Sequence, residues 1–230
     1  MRITAQTLML ERAAVALEPI LAEIVFVGGS VVGLLLTDPA AAAPRPTDDV
    51  DVIVRAATRV EYYPVEKRMS EMGFIQNPED KVICRWNGHS LTVDIMPTND
   101  DILGFASRWY EPAIKSAVQT VLPNGATINV INGPHLLATK LEAFVDRGRD
   151  DILGSHDLED IILLVDGRPE LTGEVRNSDM GLQMYIGDMV QQILDFAQIE
   201  DAIEGHLGSH LDASARLSLV RERLQILAKC

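Results

Sequence analysis

The stretch from Val25 to Val54 constrains this chain more than any other. An apolar run, Ile24 to Val27, ends in Gly28-Gly29-Ser30, and after a short apolar segment the chain reads Arg45-Pro46-Thr47-Asp48-Asp49-Val50-Asp51-Val52-Ile53-Val54. A short apolar run against glycine predicts a buried strand. In a second strand, the period of two places Asp49 and Asp51 on one face and Val50, Val52 and Val54 on the other. Leu91-Thr92-Val93-Asp94-Ile95-Met96 alternates in the same way and sets Asp94 apart from Val93 and Ile95.

Neighbouring carboxylates repel unless water separates them or a cation sits between them. The plain reading of Asp49, Asp51 and Asp94 is solvated strand ends or partners of Arg45 and Arg55. That reading leaves the upstream glycines and the third acid unexplained, so a site for a hard divalent cation is the expectation. Gly28-Gly29-Ser30 falls where a strand should turn into a helix, a place where a phosphate can approach backbone N–H groups. The same glycines would also serve a tight packed turn. Together these features predict metal-assisted handling of a nucleoside triphosphate (NTP).

The 230 residues suffice for one ample core, or for a catalytic domain with a smaller helical partner. A formal charge of −14 argues against a wide nucleic-acid footprint and leaves only a local basic patch, with Arg45, Arg55, Arg59, Lys67, Arg68, Arg85, Lys140, Arg147 and Arg149 as candidates. Cys84 and Cys230 are the only cysteines, too few for a disulfide framework or a zinc site. No stretch approaches ~20 uninterrupted apolar residues and Met1 to Leu10 lacks a cleavable leader pattern, so a cytoplasmic protein with no membrane contact is expected.

The order of elements predicts an α/β (α+β) protein. A helix is expected over Thr7–Ala22, strands at 24–27 and 48–54, a helix from Ser30 to Leu36, a surface loop with the character of a tolerated insertion at Ala40–Pro46, and a helix over Glu61–Met72. Asn87-Gly88 predicts a hairpin between Lys81–Trp86 and Ser90–Met96, and Pro123-Asn124-Gly125 a second one between Lys115–Val121 and Thr127–Ile131. Phe105, Trp109 and Tyr110 are expected to plug a core edge rather than cover a pocket. From Pro134 the pattern turns helical, over 134–147, 156–165, 169–176, 179–204 and 212–228. The predicted division is a mixed-sheet core over 1–133 and a helical region over 134–230 that completes the site.

Pro134 to Asp166 is the second informative stretch. Lys140 and Arg147 share one face of a helix. That face would either meet a polyphosphate or be a solvated face with Glu142 and Asp146 as surface partners, and the residues alone leave both open. Ser155 caps the next helix, with Asp157 in its first turn, where an acid also serves the helix dipole. The histidines, His89, His135, His156, His206 and His210, have no metal-ligand spacing.

Gly28-Gly29-Ser30 followed by Arg45-x-Thr47-x-Asp49-x-Asp51 resembles the signature of the nucleotidyltransferase superfamily, in the form found in the AbiEii-like toxin family that includes MenT-type toxins. Lys140-Leu141-x-Ala143 with Arg147, then Asp157-Leu158-x-Asp160, resembles that family's second block. The likeness spans residues 24 to 166, and the spacing from Ser30 to Asp49 is long for the pattern. It implies a nucleotidyltransferase-like mixed sheet flanked by helices, with Asp49 and Asp51 holding magnesium, two ions once NTP is bound, and Asp94 completing the metal site or acting as base. Gly28, Gly29 and Ser30 would receive phosphate, Lys140 and Arg147 the triphosphate, and Asp157 would be an essential acid. It further implies tRNA as acceptor and a cognate antitoxin as partner. The alternatives are transfer to a small molecule such as an aminoglycoside, which the acidic balance favours, and a nucleotide-binding regulatory module without turnover.

Overall fold

The computed structural model describes residues 4–207 and 213–230. Met1 to Ile3, His210 and Asp212 lie outside the described residues. Strands run Ile24–Val27 (β1), Val50–Val54 (β2), Arg85–Gly88 (β3), Leu91–Pro97 (β4), Val118–Val121 (β5) and Thr127–Val130 (β6). Helices run Ala5–Ala16 (α1), Val32–Leu35 (α2), Arg59–Glu71 (α3), Asp100–Leu103 (α4), Tyr110–Lys115 (α5), Gly133–Arg147 (α6), His156–Gly167 (α7), Leu171–Arg176 (α8), Met180–Leu194 (α9), Ile199–Leu207 (α10) and Ala213–Leu227 (α11). None of these helices is long and apolar enough to cross a membrane.

The chain forms two compact units. One takes in the chain up to Val31 together with Arg45–Asn132, and the other takes in Val32–Pro44 and the chain from Gly133 onward.

The first unit holds a six-stranded mixed sheet in the order β3-β4-β2-β1-β6-β5. β2 runs parallel to β4 and β1 parallel to β6, while β1–β2, β3–β4 and β5–β6 are antiparallel. The central strands β1 and β2 are apolar on nearly every residue because both sheet faces are covered. Leu10, Ala13 and Leu17 from α1 and its trailing turn are buried with Ile24, Phe26, Val52, Val93 and Ile95. Tyr62 in α3 is buried and donates its hydroxyl to Ile95 O at 2.6 Å, which fixes that helix to β4. α1 stops at Ala16, short of the expected Ala22, and Pro19 opens a separate 3-10 turn.

The β3–β4 hairpin forms, but its turn is His89-Ser90, not Asn87-Gly88. Both turn residues have positive φ, 54° and 57°, as a two-residue type I′ turn demands. The His89 ring, 2.7 Å from Met72 O, helps to hold this conformation. Gly88 is glycine for a different reason: a Cβ there would lie 2.9 Å from the Phe74 ring and 3.0 Å from Gly73 O. The β5–β6 hairpin closes around Pro123-Asn124-Gly125 as expected, except that Lys115 ends α5 and the strand begins at Val118. Phe105 is 41 % exposed, so it plugs no core edge, and Tyr110 bonds Met96 Sδ at 3.1 Å.

In the second unit, α6, α7, α9, α10 and α11 bury Leu141, Phe144, Ile161, Leu164, Ile186, Ile203 and Leu224 among themselves. The helix expected over 179–204 is two helices, because Phe196 turns out of the helical path to meet the Phe144 ring edge-on, with centroids 5.9 Å apart. The segment 37–44 is tied to this unit. Thr37 and Asp38 N–H groups both donate to Gly167 O, Ala41 is buried, and Arg216 bridges Asp38 and the buried Asp166 at 2.6–2.7 Å. A segment bonded in this way is not a freely tolerated insertion.

Candidate functional site

Three acids stand at one end of the sheet. Asp51 is the register partner of Val27 on β1 and of Asp94 on β4, so Asp51 and Asp94 lie side by side on one sheet face. Asp49 precedes Asp51 by two residues and joins them. The chain leaves β1 through Gly28, whose φ of +73° is the left-handed conformation that glycine tolerates. A Cβ on Gly28 would fall 1.9 Å from Asp51 Oδ2, so this glycine is also what lets the carboxylate sit against the turn. Ser30 is buried in the 3-10 turn Gly29–Val31 and aims its hydroxyl at Val27 O, 3.5 Å away.

Arg85, on β3 directly across from Asp94, enters this group. Its Nε donates to Asp94 Oδ1 and its Nη2 to Asp94 Oδ2, both at 2.8 Å, and the same Nη2 donates to Asp49 Oδ2 at 2.8 Å. Hydrogen bonding to Asp94, with Asp49 nearby, drives the guanidinium further above its already high pKa. Burial pushes the Cys84 thiol up to about 12, reinforced by the charges of Asp94 and Asp51, so it stays protonated and unreactive near neutral pH.

Among the described residues no three His, Cys, Asp or Glu side chains are gathered as a metal cage. Asp49 and Asp51 still offer hard oxygen donors on one face. Magnesium needs only one or two carboxylates, because it keeps waters and phosphate oxygens among its ligands. The donor set of Asp49, Asp51 and Asp94 therefore suits magnesium, and Arg85 already holds both oxygens of Asp94 and Oδ2 of Asp49.

The second unit carries its own ionic group. Lys140 Nζ lies 3.1 Å from Asp157 Oδ1 and 2.6 Å from Asp160 Oδ2. Arg147 Nε and Nη2 donate to the two Asp157 oxygens at 2.8 and 3.1 Å. Lys140, Asp157 and Asp160 are buried, whereas the Arg147 side chain is 71 % exposed. Burial alone would raise the Asp157 carboxyl, but the Arg147 hydrogen bonds and the Lys140 charge outweigh it and hold it below the usual range. Ser155 caps α7 as expected, accepting from Leu158 N–H at 3.3 Å. His156 points into solvent and takes no part.

No protein-family model matches the chain, and no curated protein matches it. Two solved structures share its outline. JHP933 from Helicobacter pylori aligns over 99 % of this chain and 94 % of its own at 12 % identity, with a TM-score of 0.49. The antibiotic-resistance factor ANT(2'')-Ia aligns over 75 % of this chain and 91 % of its own at 14 % identity, with a TM-score of 0.46.

The structure brings the three acids of the sequence reading, Asp49, Asp51 and Asp94, together in the sheet unit and adds a cation among them. Arg85 stands only in a list of basic residues, because a turn at Asn87-Gly88 would pair it with Ser90; a turn at His89-Ser90 sets it opposite Asp94. For Lys140 the reading of a solvated helix face gives way, since it is buried against Asp157 and Asp160, while Arg147 stays exposed and bonds Asp157.

Proposed function

We propose that this chain is a magnesium-dependent nucleotidyltransferase that moves a nucleoside monophosphate from an NTP to an acceptor hydroxyl with release of pyrophosphate. We further propose that it acts as the toxin of a toxin-antitoxin pair, on tRNA 3′ ends. The observation that carries the reaction class is Asp51, in register with Asp94 and seated against the left-handed Gly28 turn. That arrangement puts carboxylates and a left-handed glycine turn at the same end of the sheet.

Asp49 and Asp51 would hold magnesium there, and the bound metal supplies neutralisation of charge on the phosphoryl group and activation of the attacking hydroxyl. Under the resemblance of their segment to the nucleotidyltransferase signature, Gly28, Gly29 and Ser30 would receive a phosphate through their backbone N–H groups. Lys140 and Arg147 receive the triphosphate under the resemblance of their segment to the AbiEii-like second block. Asp157 is then a positioning residue, since it accepts hydrogen bonds from both cations. The tRNA acceptor rests on that same second block. A cationic small molecule as acceptor is the second reading, favoured by the formal charge of −14, which would attract it.

Expression in a bacterial host, with growth followed and tRNA 3′ ends sequenced, tests the acceptor. Slowed growth with extended tRNA ends, both absent for Asp49→Ala with Asp51→Ala, is the expected result. Normal growth with unmodified tRNA, alongside labelling of an aminoglycoside by the purified protein, would overturn the tRNA assignment and install the small-molecule reading.

A further inference from the structure

We propose that Arg85 and the divalent cation compete for the same carboxylates, so that Arg85 is a built-in stand-in for the metal until a nucleotide arrives. The inference rests on the nucleotidyl-transfer reading for the presence of a cation, and on the geometry around Arg85 for the competition.

One nitrogen, Arg85 Nη2, is 2.8 Å from Asp94 Oδ2 and 2.8 Å from Asp49 Oδ2. Asp49, just before β2, and Asp94, on β4, thus converge on a single positive centre. Magnesium would be held by carboxylate oxygens of this kind, so the ion and the guanidinium would call on the same groups. Without Arg85, Asp49 and Asp94 would face one another with Asp51 alongside, and like charges at such range repel. With Arg85 and a divalent ion both present, two cations would crowd one pair of acids.

A guanidinium cannot yield by giving up its proton, so it must yield by moving. Its side chain is 27 % exposed, which gives it a route outward. The negative charge of Asp80 also acts on Arg85 and would attract a displaced guanidinium. A bare ion has to break the fork on Asp94 as well as the bond to Asp49. A metal–NTP complex brings its own phosphate oxygens, to the ion and to the freed guanidinium alike. The arrangement therefore favours loading of the metal together with nucleotide over loading of the metal alone.

The test is titration of the purified full chain with Mn²⁺ alone, reading free ion by electron paramagnetic resonance, for wild type, Arg85→Gln, Arg85→Lys and Asp51→Ala. Competition predicts that Arg85→Gln binds Mn²⁺ roughly tenfold more tightly than wild type, the effect of about one charge-assisted hydrogen bond. Arg85→Lys, which keeps the charge and loses the fork, should fall between, and Asp51→Ala should bind least. Thermal unfolding gives a second readout, with saturating Mn²⁺ raising the melting temperature of Arg85→Gln by more than that of wild type. Equal or weaker Mn²⁺ binding by both Arg85 variants, with wild-type binding still dependent on Asp51, would overturn the competition and leave the proposed reaction standing. No Mn²⁺ binding by any of the four proteins, with or without NTP, would overturn both.

Discussion

In the sheet unit a single guanidinium, Arg85, bonds Asp49 and Asp94, and Asp51 stands in register with Asp94; in the helical unit two cations, Lys140 and Arg147, face two acids, Asp157 and Asp160. The first group is partly exposed, with the Arg85 side chain 27 % and Asp49 35 % accessible, and it sits at strand ends beside the Gly28 turn, while in the second all but Arg147 are buried. Accessible carboxylates can take up a cation from solvent, whereas a buried ionic group first of all holds its own helices together, because its charges are desolvated.

That contrast predicts opposite outcomes for substitutions of similar chemistry. Asp51→Asn should lower nucleotide transfer by at least about 100-fold, as loss of metal-site residues does, with little loss of stability, since one of several like charges is removed. Parallel transfer assays and urea melts measure the two effects. In the helical unit the order reverses. Lys140→Ala leaves two buried acids short of a cation and should cost about 3–5 kcal/mol in urea unfolding, apart from any effect on catalysis. A Lys140→Ala variant as stable as wild type would erase the distinction between the groups.

Gly28→Ala should come next in size. The left-handed backbone alone costs about 1–2 kcal/mol with a Cβ, and the new atom must displace the Asp51 carboxylate, so activity should fall by more than stability does. The smallest effect belongs to Arg147→Gln. Asp157 is held below its ordinary value, so its contribution to stability is complete above the ordinary carboxylate range and is lost as pH falls through the depressed value. Removing the Arg147 hydrogen bonds lifts that value, and the acid-unfolding midpoint read by circular dichroism should move to higher pH.

How much of this was legible in the sequence follows the range of the interactions. β1 and the Asp-x-Asp strand were readable because period and burial are local, and two similar alternations pointed to convergence of the three acids, while the parallel register of Asp51 with Asp94 was seen only in the fold. Arg85 was not, because its partner depends on a turn whose two residues, His89 and Ser90, carry none of the usual glycine or asparagine signal for positive φ. Asp157 read as a first-turn acid serving the helix dipole because α7 begins just before it, and only tertiary packing brings Lys140 and Arg147 onto it. The tie of residues 37–44 to Gly167 and Arg216 spans well over a hundred positions, beyond any local pattern.

The most direct measurement is transfer of label from an α-labelled NTP to purified tRNA in magnesium buffer, by wild type and by Asp49→Asn with Asp51→Asn. The account predicts labelled tRNA and released pyrophosphate with wild type and neither with the double variant. Equal transfer by the two proteins would contradict it.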